Sequence, residues 1–420
     1  MIKKLKPKSE FSRNVLTLMT GTTIAQAIPI AISPILTRIY TPEDFGVFAL
    51  FVALTGVFSV IASGRYELAI MLPKDDEDAI NIFSLGMTIV ISLSLFLLTI
   101  VNLFHTDFTR VLNNDDIGDW LYFIPVAFFF TGLFNMLSYY NNRKKNYKDI
   151  ATATITKSII LAIVQLSMGF VKTGASGLIS GHIISTMFAN IRLLKNIMKD
   201  KILISKISKI KMISMAKHYK DFPLYQAPHA ILNTFSSNIP VYMFTPFFGL
   251  TVVGFYSLSI RIVFTPMMIL SGASAKVYNQ NVTQLYHDDG DVHGFTVRLL
   301  KSLVTKILIP FLIIVIFAPD IFSFIFGENW REAGIYTQIL APWLLLNILV
   351  STISFIPSLV NMQKKAFQVS IVYTVIVSLA IFVGVFYHSI YVSLFLFSFS
   401  ACCILLYNLQ WMLKVLRKEK

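Results

Sequence analysis

Charge is scarce in this chain. Of 420 residues only 14% are Asp, Glu, Lys or Arg, well below the quarter or so that a soluble globular protein carries, so two or three soluble domains are excluded. Cysteine is rarer still. Cys402 and Cys403 are adjacent inside an apolar run, which excludes a disulfide framework and the spacing of a metal knuckle. No GxxxxGK[ST], HExxH, CxxC or GxSxG pattern occurs. With inter-helix loops this short, ATP hydrolysis within the chain is excluded as well, and no catalytic residue, metal or cofactor is expected. Carboxylates are missing from the apolar stretches: Glu67 alone lies well inside one.

What is present is apolar. Hydrophobic residues make up 55% of the chain. Stretches of about 20 residues with few charges give twelve expected spans, at 14 to 37, 45 to 69, 80 to 104, 118 to 140, 150 to 171, 174 to 194, 222 to 248, 252 to 275, 296 to 318, 334 to 360, 367 to 387 and 389 to 413. The fold class is an all-α integral membrane protein. The first span is too long for a signal peptide and leads straight into a second.

The net charge of +14 follows the same plan. With a cytoplasmic N-terminus, 29 of the 36 basic residues fall in inner segments and four in outer ones. The positive-inside rule therefore predicts cytoplasmic N- and C-termini, and the excess charge faces anionic membrane lipid rather than nucleic acid. Trp120, Trp330 and Trp411 fall where aromatic belts are expected.

The halves of the chain repeat with a period of about 210 residues. Asn141 to Tyr147 answers Asn361 to Phe367, Ile28-Pro29 answers Ile239-Pro240, and Ala62-Ser63-Gly64-Arg65 answers Ala273-Ser274-Ala275-Lys276. The expected organisation is an N-terminal six-helix lobe at 1–195, a basic amphipathic cytoplasmic linker at 196–220 and a C-terminal six-helix lobe at 221–420. A central cavity is expected between parallel repeats. Pro29, Pro34, Pro228 and Pro240 in the first helix of each lobe mark expected gating bends.

The ionisable residues inside the spans are one-sided in sign. Arg261 and Lys306 fall about 14 and 15 Å into the eighth and ninth spans, and Lys157 about a third of the way along the fifth. Arg65, Lys276 and Arg298 stand near the inner ends of theirs, and His182 and His229 read as packing residues. A cation costs at least ~2.5 kcal/mol at a helix centre, so these positions are expected to line a wet cavity whose cargo brings negative charge. A cation-coupled drug exporter would need the opposite sign, a mid-membrane carboxylate.

The run Leu36-Thr37-Arg38-Ile39-Tyr40-Thr41-Pro42-Glu43-Asp44-Phe45-Gly46-Val47-Phe48-Ala49-Leu50, followed by Gly64-Arg65-Tyr66-Glu67-Leu68-Ala69-Ile70, resembles the Wzx-type polysaccharide flippases. These belong to the superfamily that holds the multidrug and toxin extrusion transporters and the lipid II flippase. The resemblance implies two six-helix bundles around a cavity and residence in the bacterial inner membrane. Its implied cargo is an undecaprenyl-pyrophosphate-linked oligosaccharide, an O-antigen or capsule repeat unit. It also implies Arg65 as a cationic cavity residue, polysaccharide assembly proteins as partners and a monomeric state.

Overall fold

The computed structural model describes residues 10–112, 118–288 and 290–418. Among them every regular element is helical. In order these are α1 (Glu10–Ala31), α2 (Ser33–Ile39), α3 (Pro42–Ser59), α4 (Tyr66–Ala69), α5 (Asp76–Leu112), α6 (Gly118–Leu121), α7 (Ile124–Arg143), α8 (Tyr147–Phe170), α9 (Ala175–Met198) and α10 (Lys201–Ile204). There follow α11 (Lys209–His218), α12 (Ala227–Phe248), α13 (Leu250–Ser259), α14 (Thr265–His287), α15 (Val292–Phe326), α16 (Arg331–Thr352), α17 (Ile356–Leu359), α18 (Gln363–Phe386) and α19 (Ile390–Lys418). Eleven of the described helical stretches are long and apolar enough to cross a bilayer. The twelfth expected span is α12, which has the length but carries His229, Asn233, Thr234, Ser236, Ser237 and Asn238.

Several spans are broken where the sequence reads as continuous. Helix α1 stops at Ala31 and α2 restarts at Ser33, with Pro29 and Pro34 on either side of the interruption. Each proline lacks the N–H that would continue the ladder, and the Ser33 hydroxyl donates to the Pro29 carbonyl at 2.7 Å. The second expected span ends at Ser59 and resumes only at Tyr66. Gly64 and Arg65 both take left-handed backbone there, at φ 62° and 65°, which no helix accommodates. The match of this segment with Ala273 to Lys276 is therefore one of sequence only, because the latter lies inside continuous α14, where Ala275 replaces the glycine. Conversely, α15 runs to 35 residues, longer than the ~20 a bilayer needs, while the 37 residues of α5 are two helical pieces that meet at a kink at Phe104, where φ is −116° and ψ 21°.

Elsewhere the duplication is visible in the backbone. The α8–α9 and α18–α19 hairpins turn through Lys172 and His388, both left-handed, and each turn donates the next N–H back five residues, Thr173 to Met168 and Ser389 to Gly384. One glycine lets each pair approach. Gly177 of α9 faces Met168, and in the second hairpin Gly384 of α18 faces Ser393, so the small residue has changed sides.

Two compact units divide after Pro246. In the first, α5, α7 and α9 pack around Ile80, Phe83, Phe128, Met136, Leu137 and Leu193. Asn141, fully buried, holds this core by donating to the Leu137 and Leu193 carbonyls at 2.9 and 3.2 Å while accepting from Asn146 and Asn196. Each of its groups is satisfied, as a buried amide requires. Residues up to Pro246 join this unit rather than starting the next, and Tyr242 of α12 donates to the Ala53 carbonyl of α3 at 2.7 Å. In the second unit α16 is central. Ser259 donates to Ala333 at 2.6 Å, Ser271 pairs with Ser351 at 2.6 Å, and the Trp343 indole donates to the Tyr373 hydroxyl at 3.1 Å. Trp330 and Trp411 are buried among such contacts, so neither forms the lipid-facing belt expected of them; large aromatic surface is better covered by packing than by lipid when a neighbouring helix is present.

Candidate functional site

The expected cations fall into two groups, one in each compact unit. Arg65 follows the left-handed Gly64 and precedes α4, a geometry that turns its side chain back toward Glu67. Its Nη1 stands 3.1 Å from Glu67 Oε1, while the Ser63 hydroxyl donates to Glu67 Oε2. Glu67 is almost fully buried. The carboxylate that the sequence places well inside a span is thus paired with Arg65, whose charge is answered by the protein rather than left entirely for a cargo. Arg65 Nε is buried with no hydrogen-bond acceptor among the described residues.

Lys157 lies ten residues into α8, about 15 Å from its start. It is half-buried, with Nζ 5.2 Å from the centre of the Phe134 ring of α7, a cation–π contact that steadies a desolvated ammonium. His182 of α9 meets Phe48 and Phe51 edge-on, with ring centres 6.1 and 6.5 Å apart. His229 is exposed on α12.

In the second unit Arg261 occupies a π-helical turn, Ile260–Phe264, between α13 and α14. Pro266, two residues past the turn, cannot donate to the Ile262 carbonyl, and the widened turn lies where that bond is missing. Such turns recur at functional positions because they rotate one side chain out of helical register. Arg261 is half-buried, and the next turn is fixed by Phe264 stacked on Trp343 with ring centres 5.8 Å apart. The same motif appears at Phe222–Gln226, where Ala227 donates to the Phe222 carbonyl and Pro228 follows. Pro228 therefore sits in the first turn of α12 behind a π turn, not at a bend within the helix, whereas Pro240 does lie inside α12.

Arg298 and Lys306 are exposed on α15 with Lys301 and Thr305 on the same side. The helix extends beyond the expected 296 to 318, so Lys306 stands about 21 Å from its first residue and about 30 Å from its last, in the N-terminal half of α15 rather than at its centre. Lys276 is on α14, and its side chain lies outside the described residues. Among the described residues no group of His, Cys, Asp and Glu could hold a metal ion.

The structure thus sets Lys157 against the Phe134 ring, pairs Arg65 with Glu67 and places Arg261 in a π turn. The roles of Phe134 and of the π turn went unread in the sequence. The only signal for the latter was a proline five residues beyond Arg261.

Residues 35–335 match the family described as polysaccharide biosynthesis protein. The chain belongs to that family. The resemblance carried by the Leu36 to Ile70 segment is thereby borne out. No curated protein matches the chain. Among solved structures, the lipid II flippase MurJ in an inward closed conformation is similar with a TM-score of 0.71 at 12% identity, over 94% of this chain and 87% of that one. An inward-facing multidrug resistance transporter of the MATE family, in the MOP superfamily, gives 0.65 at 12% identity over 95% and 96%. A MOP superfamily transporter from Pyrococcus furiosus, described as having a binding pocket of reverse polarity, gives 0.59 at 12% identity over 96% of each chain. At these identities the likeness establishes the fold, which is that of the MOP transporters, in a multi-pass membrane member of the polysaccharide biosynthesis family.

Proposed function

We propose that the chain is a flippase that carries undecaprenyl-pyrophosphate-linked oligosaccharide, an O-antigen or capsule repeat unit, from the inner to the outer leaflet of the bacterial inner membrane. The observation that carries this reading is the placement of Lys157 and Arg261 as half-buried cations well along their helices, in a member of a polysaccharide biosynthesis family. Anionic cargo is what such positions select. In the proposed cycle Arg65, Lys276 and Arg298 attract the pyrophosphate at the inner side, and Arg261, Lys306 and Lys157 hold it on the way through. The breaks at Pro29 and Pro34, and Pro240 within α12, supply the bending for alternating access. No bond is made or broken. Two negative charges moving outward gain roughly 4 to 5 kcal/mol at 100 mV, inside negative, so the membrane potential assists export.

Cation-coupled drug antiport is the competing reading. It is disfavoured by Glu67, the carboxylate it would use, whose two oxygens are already engaged by Arg65 and Ser63.

The test is exposure of a labelled polyprenyl-pyrophosphate oligosaccharide at the outer leaflet of proteoliposomes. Wild type should expose it, while Arg261→Ala and Lys306→Ala should each slow exposure by about tenfold or more. Equal rates in all three would retain the flippase and discard these cations. No exposure above empty liposomes by folded protein would refute the function.

A further inference from the structure

The segment joining α9 to α12 is a built element with its own ligand-sized hollow. It is tied to the inner end of α5: Lys206 and Lys211 both pair with Glu77, Ser208 N–H donates to Asn81 Oδ1 at 2.9 Å, Asn81 Nδ2 donates to the Lys206 carbonyl at 3.2 Å, and the Tyr66 hydroxyl donates to the Ala216 carbonyl at 3.1 Å. These bonds use one side of α11. Another side is left open next to α5. There Lys209, Met212, Ile213, Ala216, Lys217 and Lys220 follow one another at helical spacing and, with Leu85 of α5, line a hollow of about 620 Å³. Its floor is apolar and its rim is three lysines. None of the three makes an ion pair with a carboxylate among the described residues, whereas the lysines on the tethered side do.

Two further observations narrow the occupant. Ile202 and Ile210 are 75% and 81% exposed, and Ile207 and Ile213 are exposed beside them. A helix that turns isoleucines outward between lysines lies in a membrane interface, its apolar residues among acyl chains and its ammonium groups at the headgroups. A ligand there must be an amphiphile, with a chain to cover Leu85, Met212 and Ile213 and a negative head to meet Lys209, Lys217 and Lys220.

We propose that this hollow binds an anionic phospholipid of the inner leaflet, its phosphate held by the three lysines and one acyl chain laid on the apolar floor. The site is separate from the cations assigned to the cargo, and the inference does not depend on what the chain transports. An abundant membrane lipid is preferred to the scarce cargo because the lysines are flexible point charges that read charge without reading a diphosphate geometry.

The test uses the full chain in nanodiscs of phosphatidylcholine and phosphatidylglycerol at three to one, with retained lipid counted by native mass spectrometry after release. Wild type should retain one phosphatidylglycerol that the variant Lys209→Gln/Lys217→Gln/Lys220→Gln retains about tenfold less often. The variant Lys145→Gln/Lys148→Gln, which neutralises two exposed lysines on another inner loop, should behave as wild type. Ile213→Glu, which puts a charge on the floor, should lose the lipid with all three lysines intact. Retention that is equal in wild type and the triple variant, or equal for phosphatidylcholine, would overturn the site. So would displacement of phosphatidylglycerol by an equimolar polyprenyl pyrophosphate, which would make the hollow a cargo site.

Discussion

Arg65 and Glu67 form an ion pair whose two members stand in unequal surroundings, and the inequality fixes the outcome of removing each. The Glu67 side chain is 4% exposed and the Arg65 side chain 24%. Stripping one partner from a buried pair costs about 3 to 5 kcal/mol, because the other is left as an uncompensated charge. Arg65→Gln is expected within that range, since Glu67 would keep only the Ser63 hydroxyl. Glu67→Gln is expected to cost about 1 to 2 kcal/mol, because the guanidinium reaches solvent and is partly screened. The double variant Arg65→Gln/Glu67→Gln leaves two neutral amides and no stranded charge, so it should recover about 2 kcal/mol relative to the sum of the single variants. Unfolding of the three purified variants in a single detergent measures the cycle. Outer-leaflet exposure of the labelled cargo then separates stability from transport: the double variant should be folded and slow, having lost the cation that attracts pyrophosphate. Arg65→Gln proving no more harmful than Glu67→Gln, or a double variant equal to the sum of its parts, would refute the assignment of Glu67 as the buried charge that Arg65 neutralises.

Further expectations concern packing, charge geometry and tethering. A Cβ on Gly334 would stand 2.5 Å from Pro319 Cα and 2.6 Å from the Ala318 carbonyl oxygen. Gly334→Ala should therefore destabilise the α15–α16 crossing by about 1 to 3 kcal/mol, measured as a lower unfolding midpoint with cargo binding intact below it. Arg261→Lys keeps the charge but loses the bidentate fork, and it should slow exposure of the cargo by about tenfold, as read in proteoliposomes. The Glu77 carboxylate, by hydrogen bonding, holds the Lys211 ammonium above the usual lysine range. Its contribution is then fully present below the ordinary lysine pKa and lost only as pH rises through the higher folded value, so trypsin sensitivity of α11 should be flat from about pH 6 to 9. Lys211→Gln, or high salt, should increase that cleavage.

Most of the helical architecture is legible because bilayer physics writes it coarsely: apolar length gives the spans. Local breaks are not. Gly64-Arg65 reads as the end of an apolar stretch, and nothing in those two letters announces consecutive left-handed residues. Its sequence counterpart at Ala275-Lys276 continues as helix, which shows how one missing Cβ decides between a turn and a span. The cations at Lys157 and Arg261 were found by sign and depth alone. The pairing of Arg65 was not, although Glu67 was in view, because the partner of a charge depends on where a turn points it. Lys306 reads as central when the span is counted from its apolar run, whereas the helix continues well past that run toward its C-terminal end.

The two π turns carry one residue more than an α-helical path between the same ends would need. A single residue deleted from Ile260–Phe264 would return the stretch to regular α winding between the same ends, leaving Thr265 and the rest of α14 on the faces they now present and removing the widened turn that carries Arg261. The same holds for Phe222–Gln226 and α12. Each turn is in that sense a slot that takes up one residue without re-aiming the helix beyond it, so homologues can differ in length by one residue there and still present the same faces of these helices.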